Sequence, residues 1–118
     1  MRKHIVSFDR FDVVVVPFPF TDRTTSKRRP ALVISSADKF NKTVGQSVLA
    51  MITSAKNSDW PLDTDITDLD SAGLPSSSIV RMKLFTLDDQ LIIRKAGSLS
   101  SQDQKRISNS LKDLFSLK

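Results

Sequence analysis

A chain of 118 residues, 39% apolar, with no run long enough to span a bilayer and no leader-like start, reads as a single domain over 1–118 in the cytoplasm. The absence of cysteine and the single His4 exclude disulfides, thiolate or multi-histidine metal sites and a cysteine nucleophile, so any chemistry must use other groups, and no cofactor is read from the sequence. The formal charge is +5, yet residues 57–75 hold five aspartates and no Lys or Arg, so the remainder carries +10 and suits a polyanionic partner.

His4 falls in a basic tail read as frayed and solvated. "FDVVVVPFPF" follows, with a β-branched strand over Val13–Val16 that Pro17 and Pro19 stop. Valines on both alternating faces predict cover on both sides, by the barrel core on one and a second subunit on the other. Phe18 and Phe20 suit either base stacking at a groove or packing in the barrel or a dimer seam. Residues 21–28, "TDRTTSKR", lack apolar periodicity and read as a flexible polar loop ending in Lys27 and Arg28.

"PALVISS" is the second strand and "SVLAMITS" the third, joined by the polar "ADKFNKTVGQ". The acidic stretch predicts short strands or turns around Ile66 and Leu69 and a turn at Gly73 and Pro75, with its aspartates solvated. Trp60 there is either a core residue or a partner contact. "SSIVRMKLFTLD" suits a long strand and "LIIRKAGSLS" a shorter one. Ser100 and Asp103 form a capping-box-like start to a helix whose core face is Ile107, Leu111, Leu114 and Phe115. The sum is a mainly β domain, a small antiparallel barrel with a C-terminal α-helix.

The chemistry-bearing candidates come from the second and third strands. Their ten-residue connection favours antiparallel pairing. Centred near Asn41, it pairs residues whose numbers sum to about 82, so Arg29 faces Thr53. Pro30 restricts Arg29 to extended conformations, which makes it the positioned cation of the triplet Lys27, Arg28 and Arg29. A guanidinium holds a phosphodiester with fixed donors and stabilises charge that builds on its oxygens.

The ordered series "FDVVVVPFPFTD", "KRRPALVIS", "VLAMITS", "SIVRMKLFTLD" and "AGSLS", from Phe11 to Leu117, resembles the PemK/MazF-type toxins of type II toxin–antitoxin systems. The resemblance implies an SH3-like β-barrel of the PemK/MazF/CcdB type, a homodimer, and a metal-independent endoribonuclease. Such an enzyme cuts single-stranded RNA to 2′,3′-cyclic phosphate and 5′-hydroxyl ends and is inhibited by a cognate antitoxin. The family's arginine before proline matches Arg29 and its strand-end threonine matches Thr53, giving Arg29 the scissile phosphate and Thr53 a hydrogen bond to it. Arg81 is the third catalytic candidate. Lys27, Arg28, Lys83 and Ser54 are RNA-binding candidates.

One departure stands out. Where some relatives carry Arg-x-Asp, with the Asp proposed as base and the Arg as acid, this chain has Arg81 and Lys83. The general base is therefore open. Asp22, in the loop before the basic triplet, is within chain reach of the site, although a loop Asp is more often a turn former, and Lys83 is read as a phosphate-binding cation. Two other functions compete with the nuclease: a nucleic-acid-binding barrel that does not cleave, and a gyrase-trapping protein-binding poison of the same fold. Arg29 with Thr53 argues against the poison.

Overall fold

The computed structural model describes residues 7–18, 27–57 and 59–118, so the expectations for His4, Phe20 and Asp22 lie outside the described residues. Among the described residues six strands form one antiparallel sheet: β1 (Asp12–Phe18), β2 (Lys27–Val33), β3 (Gln46–Ser54), β4 (Thr64–Asp65), β5 (Ser78–Asp88) and β6 (Arg94–Ser98). Their order across the sheet is β4-β5-β3-β2-β1-β6.

The sheet curls into a half-barrel. The short helix α2 (Leu69–Ala72) follows β4 at one edge, yet it packs on β6 at the other. Ser71 Oγ donates to the Ser98 carbonyl at 2.7 Å. Gly73, at φ +71°, ends α2 so close to β6 that a Cβ there would lie 2.1 Å from the Ala96 oxygen. Only glycine meets both demands.

Each face of the sheet has its own apolar cluster. Val13, Leu32, Ala50, Ile52, Val80 and Ile107 form one, beneath the terminal helix. Val14, Val16, Ala31, Val33, Leu49 and Leu87 form the other, closed by Phe8 and Ile92. The double-sided burial expected of the valine run is present, but the chain itself covers the second face. No second subunit is required to bury Val14 or Val16, both 0% exposed.

β1 also runs further than expected, through Pro17 to Phe18. Pairing with β6 ends at Val15, so beyond it β1 pairs on one side only, where a proline is tolerated. Its partners there are Arg28 and Lys27, which are therefore strand residues of β2 and not part of a mobile loop. The β2–β3 connection is also more ordered than its polarity predicted. Ser36 caps a helical turn, Ala37–Asn41, that continues into α1 (Lys42–Val44) and ends at Gly45 in the left-handed region. The buried Asn41 amide pins this turn by donating to the carbonyls of Phe8 (2.8 Å) and Ser35 (3.1 Å).

The terminal helix α3 spans Ser101–Phe115, and Ser100 Oγ accepts from the Asp103 N–H as expected. Ile107 is buried and Leu111 packs against the core, but Leu114 and Phe115 are 37% and 55% exposed. The helix packs near β4, where Thr64 and Ser110 share a hydroxyl hydrogen bond of 2.8 Å. Among the described residues no helix is long and apolar enough to cross a membrane.

Candidate active site

The β2–β3 register is the one expected from the connection: Ala31 pairs Met51, Leu32 pairs Ala50 and Val33 pairs Leu49. The ladder stops at Ala31 because the next residue is Pro30, which has no N–H to give β3. The strand ends beyond it are left unpaired with one another, and a cleft of about 360 Å³ opens there. Arg29 and Phe18 form one wall, Met51, Ile52 and Thr53 the floor, and Arg81, Lys83, Leu84 and Phe85 the other wall.

β5 supplies its wall through a bulge. Ala50 pairs Leu84 while the next residue, Met51, pairs Arg81, so Met82 and Lys83 are extra on β5. The bulge turns Met82 into the core and leaves Arg81 and Lys83 on the cleft. Three strands therefore bring Arg29, Thr53 and Arg81 together. Lys27, Arg28 and Ser54 are not part of this lining. Arg28 lines a neighbouring groove of about 220 Å³, which Arg29 also borders and which holds Arg94. Lys27 is exposed at the strand start, and exposed Ser54 accepts from the Lys56 N–H at 3.3 Å.

The cleft is wired by side chains that sequence reasoning did not assign. Asn57 Nδ2 donates to Thr53 Oγ1 at 3.3 Å, which leaves the threonine O–H to donate outward. The Asn57 carbonyl accepts from Arg81 Nη2. Asp63 accepts from Arg81 Nε at 3.2 Å and Nη2 at 2.8 Å. Its carboxylate also accepts from the Trp60 N–H at 3.3 Å, tying the segment before β4 to β5. Asp63 is thus a half-buried ion-pair partner and not a solvated charge of the acidic stretch. Asp68 is also in use, as the cap of α2.

Hydrogen bonding to Asp63 raises the Arg81 pKa further above its ordinary value, despite some desolvation. Arg81 is accordingly a fixed cation and a poorer proton donor than a free arginine. Arg29 lies with its guanidinium carbon 5.9 Å from the Phe18 ring centre, which stiffens the opposite wall. Trp60 is 41% exposed, outside either core cluster, with Lys83 Nζ 4.5 Å and the Arg81 guanidinium 5.8 Å from its ring centre. The core alternative for Trp60 is therefore excluded.

A curled antiparallel sheet with a cationic cleft at the broken end of one ladder defines the class of this small β-domain. The chain belongs to the PemK-like, MazF-like toxins of type II toxin–antitoxin systems, a family matched over residues 9–115. Solved structures share the fold at low identity. MazF from Deinococcus radiodurans is 22% identical with a TM-score of 0.72, covering 95% of this chain and 99% of that one. An endoribonuclease from Mycobacterial species, solved with its cognate antitoxin, is 14% identical at TM-score 0.73, covering 95% and 96%. Mycobacterium tuberculosis toxin MazF-mt6 is 16% identical at TM-score 0.70, covering 91% and 98%. Comparison with curated proteins gives no match.

Proposed function

We propose that the chain is the toxin of a toxin–antitoxin pair and acts as a sequence-specific, metal-independent endoribonuclease on single-stranded RNA. The observation that carries this reading is the convergence of Arg29, Thr53 and Arg81 from three strands on one cleft. Arg29 and the Thr53 hydroxyl hold the scissile phosphate from one side and Arg81 faces it as a fixed cation. The substrate's own 2′-oxygen attacks phosphorus, its proton passing to a base, and the bond from phosphorus to O5′ breaks as O5′ takes a proton. The products are a 2′,3′-cyclic phosphate and a 5′-hydroxyl, and DNA, lacking the 2′-hydroxyl, is left whole.

Charge that accumulates on the phosphoryl oxygens meets two guanidiniums already in place, so the site needs little reorganisation as the reaction proceeds. Arg81 contributes charge and not a proton, since its bond to Asp63 opposes deprotonation. The family and the endoribonuclease–antitoxin relative support the partners expected here: single-stranded RNA, a cognate antitoxin and a second copy of the chain.

A non-cleaving RNA binder is the second reading, favoured by one observation. Lys83 stands where some relatives carry an acid, and the neighbouring carboxylate of Asp63 is committed to Arg81. The deciding experiment incubates purified protein with mixed-sequence single-stranded RNA in EDTA and maps the ends. Cleavage with cyclic phosphate ends is expected, and RNA bound but intact at every pH would replace the nuclease by the binder.

A further inference from the structure

We infer that Trp60 is a base-stacking platform at the mouth of the cleft, a nucleobase subsite beside the scissile phosphate; this rests on RNA as the ligand of the cleft. Three observations converge on it. Trp60 is 41% exposed although it is the chain's one tryptophan, a residue normally well buried. Its ring stands against the two cations of the β5 wall, Lys83 at 4.5 Å and Arg81 at 5.8 Å, so an RNA whose phosphate meets those cations carries its adjacent base to the indole. Its backbone is held in place: the Trp60 N–H bonds Asp63, the Trp60 carbonyl accepts from the Asp63 N–H at 3.1 Å, and Asp63 is locked to Arg81. The flanking Asp59 and Leu62 take positive φ values of 121° and 68°, a backbone cost met by this anchoring.

The platform and the cations work as one unit. In the free protein the Lys83 ammonium rests on the indole. Its flexible stem lets it exchange that ring for a phosphate oxygen, a stronger partner, which frees the ring face for a base. Stacking accepts any base, so Trp60 supplies affinity and placement, not sequence choice. RNA suits this juxtaposition because every nucleotide carries a flat base and an adjacent phosphate, one for the ring and one for the cations.

Trp60 is its own spectroscopic probe, since no other tryptophan contributes. Titrating the protein with a short mixed-sequence 2′-O-methyl RNA, which cannot be cut by its own 2′-oxygen, should quench the emission. Polyphosphate, which offers charge without bases, should not quench comparably. Trp60→Ala should raise KM for RNA cleavage and weaken binding of the 2′-O-methyl RNA about ten- to a hundredfold, with kcat changed far less, while Trp60→Phe recovers most of the loss. Equal quenching by polyphosphate, or cleavage by Trp60→Ala with unchanged KM, overturns the platform and leaves the ring as a protein contact. If wild-type protein neither binds nor cuts RNA, the nuclease reading fails first and the platform fails with it.

Discussion

Arg81 and Asp63, eighteen residues apart, form a two-pronged ion pair with side chains only 14% and 11% exposed, and Asp63 thereby fixes the one cleft arginine that β5 supplies. Loss of one partner leaves a guanidinium without its fork and free to swing. Asp63→Ala should therefore lower kcat about ten- to a hundredfold, the scale expected for misplacement of a positioned group. KM should stay level or fall, because an anion has left a cationic site. Asp63→Glu should recover part of kcat. Steady-state cleavage of an RNA oligonucleotide gives both constants, and an unchanged kcat would remove Asp63 from the machinery.

Asp103 links the terminal helix to the segment before α2. Its buried carboxylate accepts from the Thr67 hydroxyl (2.7 Å), the Thr67 N–H (3.0 Å), the Asp68 N–H (3.1 Å) and Arg106 (3.2 Å). Burial alone would raise its pKa, but these donors together hold it below the ordinary aspartate value. A depressed native pKa contributes stability that is present above the unfolded pKa and lost as pH falls through the native one. Asp103→Ala leaves two backbone donors without partners and should cost about 2–4 kcal/mol at neutral pH. Urea titrations should show that gap narrowing as the pH falls below about 4.

Asp89 carries the opposite sign. Burial raises its pKa, and a 2.6 Å bond from Ser47 offsets this only in part. Its second oxygen, Oδ2, has no hydrogen-bond partner among the described residues. A raised native pKa favours folding below the unfolded pKa, and that contribution is lost as pH rises through the native value. Asp89→Asn, which removes the charge, should therefore raise the melting midpoint by about 2–5 °C at pH 7. The gain should vanish at a pH where Asp89 is already protonated. A midpoint that drops at pH 7 would show that the Ser47 bond needs the full charge.

Local and pairwise features of the fold were legible in the sequence. The Arg29–Thr53 placement followed from a short connection, antiparallel pairing and Pro30, and the β2–β3 register agrees residue for residue. The capping of α3 followed from Ser100 and Asp103. What escaped depends on contacts distant in the chain. Asp63 belongs to a stretch whose composition resembles a solvated loop, and only the bulge in β5 brings Arg81 to it. Lys27 and Arg28 end a polar run without apolar periodicity, which reads as loop; their pairing with Phe18 and Pro17, on the part of β1 that pairs on one side only, makes them strand. Leu114 and Phe115 keep helical spacing, but spacing does not reveal where the surface that the helix covers ends.

Arg29 and Thr53 line adjoining parts of the cleft, its wall and its floor, so on the proposed nuclease reading their removal is informative as a pair. Arg29→Ala should lower kcat about a hundred- to a thousandfold, the range for losing one preorganised donor to developing charge. Arg29→Lys keeps the charge but loses the fork, and should recover little of it. Thr53→Val keeps the shape and deletes one hydrogen bond to a charged group, about 1.5–3 kcal/mol, hence about ten- to a hundredfold in rate. Combining Arg29→Ala with Thr53→Val should cost less than the product of the two, because a phosphate already mispositioned has less to lose from the second change. Neither site lies in a core cluster, so the melting midpoints should stay close to wild type. Single-turnover cleavage of one RNA by all four variants tests the set, and wild-type rates in both Arg29→Ala and Thr53→Val would place the reaction elsewhere on the protein.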